Sequence, residues 1–380
     1  MVQKTLIWKN TTKKILGTVI LSMLFACGTQ ESQEIAEDET SDLKQKSLYA
    51  QNTENVAWQN EKLIHGNALG TTFVVKSSDD SLLTNPEQID ALIEDFNQEL
   101  STYHSSSLIS HFNTADTTID LNSTKYFKQC FELSKTIYEQ TDGAFDPTVY
   151  PLVSLWGFFK DIDVVPTEDE IDSVLQFVGL DKSTFQYEEG LLNKKDSRFK
   201  LVFNAIAKGQ FVDVLATHLE DKGQSQYFIE VGGEIRVKGK NDQGKNWVIG
   251  IDEPVESNTG VKGEQQRELE NYISISDKAV ATSGNYRKFY ELNGRKYSHT
   301  ISSKTGRPVK HNILSATVIA EDAATADAFA TAFMVMGVEE SLQLIKDNPE
   351  FGIESYLLFE NKQGRIERAY SRGMNQYLLD

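Results

Sequence analysis

From Val56 to the C-terminus the chain alternates between strand-like and helix-like segments, without an internal repeat or a long low-complexity gap. That alternation favours one α+β domain, with mixed or antiparallel sheets and packed helices, over two separate domains. NALGTTFVVKS reads as a strand, and Asn85-Pro86 then opens a helix whose Ile89, Leu92, Ile93, Phe96 and Leu100 form one apolar stripe. A second helix over about 122–141 stops at Gly143, and Thr167 with Glu170 makes a capping box for a short helix ending near Gly179. AKGQFVDVLATHLEDKG is a further helix, stopped at Gly223. QYFIEV, EIRVKG, NWVIGI, YISISD, ILSATVIAE and ESYLLFE supply strands, and a hairpin is expected around Asn293-Gly294.

With 380 residues, 39% of them hydrophobic, the chain can bury a sizeable core. Its net charge of -18, carried partly by ESQEIAEDETSD at 31–42, argues against nucleic acid as a partner, and a phosphate-bearing ligand needs local cations. Lys13 and Lys14 lead into ILGTVILSMLFAC, a secretory-type apolar run too short for a convincing membrane span. Leu24-Phe25-Ala26-Cys27 resembles a bacterial lipobox, in which Cys27 becomes the lipidated N-terminus; an ordinary cleaved signal is the alternative. The expected organisation is therefore a signal peptide at 1–26, a flexible acidic tether at 27–55 and a folded domain at 56–380. Lipidation of Cys27 leaves Cys130, a small buried hydrophobe within a helical pattern, without a disulfide partner.

Five stretches carry chemistry-bearing residues, each with a bland alternative. LSTYHSSSLISHFN at 100–113 is dense in hydroxyls, or simply a serine-rich loop. GAFDPTVYPLVSLWGF at 143–158 offers a wall for a flat aromatic ligand, or a core turn. FNAIAKGQF at 203–211 places Lys208 and Gly209 at a helix start whose amides suit a phosphate, without the glycine spacing of a Walker loop. Gly232-Gly233 in IEVGGEIRVKG marks close backbone approach or a bulge. The fifth gathers Thr282, Ser283, Arg287, His299, Lys304 and Arg307, a set suited to a pyrophosphate, ahead of EDAATADAFATAF at 321–333. In that helix Asp327 and Thr331 stand one turn apart, either as hard oxygen ligands for magnesium or as an acid facing a lysine and a threonine bonded to a carbonyl.

In this order the stretches resemble the ApbE family of flavin transferases, over about residues 60–340, through GNALGTTF, LSTYHSSSLISHFN, GAFDPTVYPLVSLWGF, NAIAKGQFVD, EVGGEIRVKG, AVATSGNYRKF, SHTISSKTGRP and ATADAFATAFMVMG. The resemblance implies a T-fold-related catalytic domain that binds FAD and Mg2+, releases AMP and joins FMN to a threonine or serine hydroxyl of a target flavoprotein. It implies Ala205, Asp327 and Thr331 as metal ligands, and Leu69, Tyr103, Ala144, Phe145, Asp146, Lys208, Thr282 and Ser283 around FAD. His299 and Asp327 are implied as catalytic, His299 as the base or a phosphate contact. It also implies a bacterial lipoprotein held on the periplasmic or outer-surface side of a membrane. Leu69 departs from a usual methionine, Val202 from a frequent aspartate, Tyr150 from a frequent glycine, and Ser302-Ser303 from a common Asp-Pro. An FAD pyrophosphatase and a non-catalytic FAD-binding lipoprotein are the competing expectations.

Overall fold

Leu69 and Gly70 both adopt positive φ, 51° and 77°. The stretch expected as one strand therefore folds back on itself: β1 (Ala57–Asn60) leads into β2 (Leu63–Ala68), and a two-residue turn joins β2 to β3 (Thr71–Ser77). A leucine rarely signals such a turn, because its Cβ disfavours the left-handed region. The computed structural model describes residues 57–379 apart from 116–117, 159–163, 255–267, 286–288, 293–294, 299 and 310–311, and gives the backbone alone for 57–59, 289–292 and 295–298. Cys27, Arg287 and His299, and the expected signal peptide and tether, lie outside the described residues.

Next in the chain come α1 (Pro86–Leu100), α2 (Leu108–Thr114), β4 (Thr118–Asp120) and α3 (Phe127–Gln140). The Asn85 side chain caps α1 by accepting from Gln88 N. α3 starts later than its apolar pattern suggests. Its orphan amides are satisfied from another helix: the Glu99 carboxylate accepts from the N–H groups of Lys125, Tyr126 and Phe127, each at 2.8 Å. α4 (Tyr150–Leu155) and α5 (Glu168–Leu175) follow, the latter with its Thr167–Glu170 capping box in place. β5 (Phe185–Glu188) and β6 (Leu191–Lys194) form a small antiparallel sheet with β4, in the order β4-β6-β5.

After α6 (Ala207–Asp221) come β7 (Tyr227–Val231), β8 (Glu234–Lys238), β9 (Trp247–Asp252), β10 (Leu269–Ile275) and β11 (Lys278–Gly284). β12 (Phe289–Leu292) pairs with β13 (Arg295–Ser298) as the expected hairpin, though Asn293 and Gly294 are outside the described residues. β14 (Ile301–Ser302), β15 (Arg307–Pro308), β16 (Ile313–Ala320), α7 (Ala323–Met336), α8 (Val338–Asp347), β17 (Glu354–Glu360) and β18 (Ile366–Tyr370) complete the chain.

Nine strands form one antiparallel sheet in the order β1-β2-β3-β7-β8-β11-β16-β17-β18. β7 joins β3 in register from Phe73↔Val231 to Ser77↔Tyr227, so α1 to α6 and the small sheet form one long excursion between adjacent strands. Alternation divides the sheet's side chains between two cores. Ala279, Ala281, Val318, Ala320 and Leu357 face the helices, whereas Val280, Ile319, Tyr356 and Leu358 face the β9–β10 ribbon and Met374. α7 lies inside the helical layer with Ala323, Ala324, Ala326, Ala328, Ala330 and Ala332 all buried, so their small size is used for close packing on several sides. Among the described residues no helix is long and apolar enough to cross a membrane.

Candidate active site

Backbone geometry at the start of α6 builds the centre of the site. Ile206 leaves helical conformation (φ -147°, ψ -21°), and the N–H of Gly209 donates to Asp327 Oδ2 at 3.1 Å instead of to the carbonyl of Ala205 one turn back. The α7 carboxylate is thereby fixed, and the Ala205 carbonyl stays outside the helix ladder. This contact requires glycine. A Cβ on Gly209 would stand 2.2 Å from the carbonyl oxygen of Ala323 and 2.8 Å from Ala324 Cα.

Asp327 is 3% exposed and makes an ion pair with Lys208, whose Nζ lies 3.9 Å from Asp327 Oδ1 and in contact with Glu234 Oε1. The bland reading of an acid facing a lysine is thus met by Lys208. Its threonine half is not: Thr331 Oγ1 meets Ser283 Oγ at 3.2 Å. Gly232 and Gly233 are the two-residue turn between β7 and β8, at φ 64° and 106°. Gly232 also serves close approach, because a Cβ there would stand 2.7 Å from Thr71 Cγ2 and 3.3 Å from Lys208 Cδ.

Alternation along β11 separates two residues that the sequence reading put together. Ser283 faces α7, while Thr282 bonds its cross-strand partner Thr317 at 2.8 Å. Lys304 and Arg307, grouped in the sequence as pyrophosphate ligands, instead pair with Asp142 (2.5 Å) and Glu168. Among the described residues, Lys208 is the cation paired with Asp327.

Tyr103, 48% exposed, stands over the turn before α6, with Asn204 Nδ2 reaching its hydroxyl at 3.5 Å. Leu69 and Ala144 pack half-buried against the main core, and Phe145 is buried within it. Asp146 is buried and accepts from Thr148 N (2.8 Å) and Oγ1 (2.7 Å) through Oδ1. Its Oδ2 is buried and makes no hydrogen bond of good geometry among the described residues, and burial pushes its pKa up to about 6, against the bonds from Thr148 and the pull of the neighbouring Ser303 hydroxyl. The segment after residue 299 is held to three different places: Ser303 Oγ donates to the Gly143 carbonyl of this loop (2.9 Å), Trp156 Nε1 at the end of α4 donates to the Gly306 carbonyl (2.7 Å), and Thr300 Oγ1 donates to Asn285 Oδ1 just after β11 (2.9 Å).

Bonds between elements therefore join the five stretches pairwise. Among the described residues no group of three His, Cys, Asp or Glu side chains is placed to hold a metal ion. A cation here has one carboxylate, one hydroxyl and one released carbonyl to bind, all hard oxygens, a set that fits magnesium and leaves room for water and phosphate oxygens. The sequence reading missed Glu234 and Asp213. Asp213, on α6, accepts from Ala323 N (3.0 Å) and Ala324 N (2.8 Å) at the head of α7 and pairs with Arg236 Nη1 (2.6 Å). A charged residue at alternate positions of EIRV was the available signal for a polar, helix-facing side of β8.

Fold and site together define an α+β protein in which one helix start, a glycine turn and a buried acid meet in one place. The chain belongs to the ApbE family, whose model matches residues 69–356. It is 34% identical over 322 residues to an FAD:protein FMN transferase of Haemophilus influenzae, an alignment covering 81% of this chain and 89% of that one. An FAD:protein FMN transferase of Escherichia coli is 33% identical over 68% of this chain and 73% of its own length. Among solved structures, the flavin transferase ApbE from Vibrio cholerae superposes with a TM-score of 0.71 at 32% identity, covering 83% of this chain and 98% of the other.

Proposed function

We propose that this chain is an FAD:protein FMN transferase that requires Mg2+, releases AMP, and joins the FMN phosphate to a threonine or serine hydroxyl of a target flavoprotein. The observation that carries this reading is the meeting of Asp327, Thr331 and Lys208 at the broken first turn of α6, beside the unclaimed carbonyl of Ala205. Asp327, Thr331 and the Ala205 carbonyl would hold the cation. When bound, the magnesium neutralises charge on the pyrophosphate and polarises it toward attack.

The chain's own residues do the rest by positioning. Lys208 supplies a cation beside the phosphates, and the start of α6 presents its positive end to them. Asp146 Oδ2, a buried acceptor without a hydrogen bond of good geometry, suits an N–H of a heterocycle. Leu69, Tyr103, Ala144 and Phe145 would flank the flavin, with Ser283 at the phosphate side; Thr282, turned to the other face of β11, would act only through the strand. His299 would accept the proton of the incoming hydroxyl or steady the phosphate, the two roles that the family resemblance implies for it. Cys27 would tether the enzyme to a membrane, on the periplasmic or outer-surface side.

Incubation of the purified protein with FAD, Mg2+ and a peptide from a flavoprotein subunit tests the reading. The expected products are AMP and a peptide heavier by FMN, both abolished by chelation and by Asp327→Ala. AMP with free FMN and an unmodified peptide makes the chain a pyrophosphatase; FAD binding that survives chelation without AMP makes it a carrier.

A further inference from the structure

Glu234 begins β8 directly after the Gly232–Gly233 turn, and its side chain is only 3% exposed. Such a carboxylate is strongly disfavoured unless it is paired. Its Oε1 contacts Lys208 Nζ, and its Oε2 is buried with no hydrogen-bond partner among the described residues. Lys208 is also within ion-pair distance of Asp327, but farther off, at 3.9 Å. One ammonium thus stands between two buried carboxylates and lies closer to the one on the sheet. Gly232 makes this possible, since a side chain there would press on the Lys208 stem. Asp327, unlike Glu234, has a second donor in the Gly209 amide.

The arrangement matters because an ammonium and a divalent cation compete for the same carboxylate. If Lys208 settled on Asp327, a metal would have to displace it. We propose that Glu234 is a positioning residue whose carboxylate holds the Lys208 ammonium toward β8, keeping Asp327 open to a divalent cation. Glu234 does not touch the metal. It acts through Lys208, whose ammonium the same contact holds beside β8. The inference rests on reading Asp327 as a metal ligand.

Mn2+ added to the FAD-free protein, with free Mn2+ followed by electron paramagnetic resonance, tests the idea without turnover. Glu234→Gln is expected to weaken Mn2+ binding about tenfold, the scale of losing one close charge interaction. Lys208→Met, which removes the competitor, is expected to bind Mn2+ several-fold more tightly than the native chain. In the Lys208→Met background, Glu234→Gln is expected to change affinity by less than about twofold, because the residue through which Glu234 acts is gone. Unchanged affinity in Glu234→Gln, or an equal loss with and without Lys208, overturns the proposal. Should Glu234→Gln fail to fold, Lys208→Met decides alone, and weaker Mn2+ binding by that variant overturns it. Native protein whose Mn2+ binding is absent, or survives Asp327→Ala, overturns the metal reading and the inference with it.

Discussion

Gly209→Ala sets two effects of opposite sign against each other. In an ordinary helix the substitution would stabilise by about 1 kcal/mol through helix propensity. Here the new methyl would stand 2.2 Å from the Ala323 carbonyl oxygen and 2.6 Å from its carbon, both main-chain atoms that cannot rotate away. α6 and α7 must then separate by about 1 Å, a small-to-large change in a packed interior that costs about 1–3 kcal/mol. Separation also stretches the 3.1 Å bond from Gly209 N to Asp327, and a hydrogen bond to a charged acceptor contributes about 1.5–3 kcal/mol. The balance is a loss of roughly 2–4 kcal/mol, or about 3–6 °C in Tm for a domain of this size. Urea unfolding at unchanged m-value measures it directly. A variant as stable as the native chain, or more stable, would refute the claim that the two helix starts are in obligatory contact.

Two further outcomes follow from the same geometry. Burial raises the Asp146 carboxyl from 3.8 to about 6, so the folded state holds a proton more firmly than the unfolded chain. This group's share of stability should therefore decline by about 2–3 kcal/mol as pH rises from about 4 to 6 and level off above; Asp146→Asn should make urea midpoints less steep across that window, leaving the part that belongs to Asp213, which burial also raises to about 6. Trp156→Phe leaves the Gly306 carbonyl without its buried 2.7 Å donor. A loss of about 1–3 kcal/mol is expected in urea, together with weaker quenching of FAD fluorescence on titration, because the 300–309 segment loses its fastening to the end of α4.

Local chemistry made much of the fold legible. Asn85, and Thr167 with Glu170, announce helix starts because a cap acts within one turn, and the structure has both. The start of α3 was misread because its cap is Glu99, a residue on a different helix. The single strand expected at NALGTTFVVKS became a hairpin because leucine hides a left-handed turn that asparagine or glycine would have advertised. At the site, the one-turn spacing of Asp327 and Thr331 was readable from helix geometry alone. The pairing of Lys304 with Asp142 and of Arg307 with Glu168 was not, since each partner lies far off in sequence. For Glu234 the alternation in EIRV marked the face it lies on, but not its role, which is defined by a lysine on another element.

The meeting of Phe73 with Val231 has a consequence for how the protein comes into being. During synthesis the β1–β3 hairpin emerges early with β3 as an open edge, and its neighbour in the sheet arrives only after the whole helical excursion has been made. Contacts of such long sequence separation fold slowly, and an unpaired edge is a template for joining another chain. The early hairpin is thus the nascent protein's most exposed aggregation point, and β7 is the strand whose arrival ends that exposure.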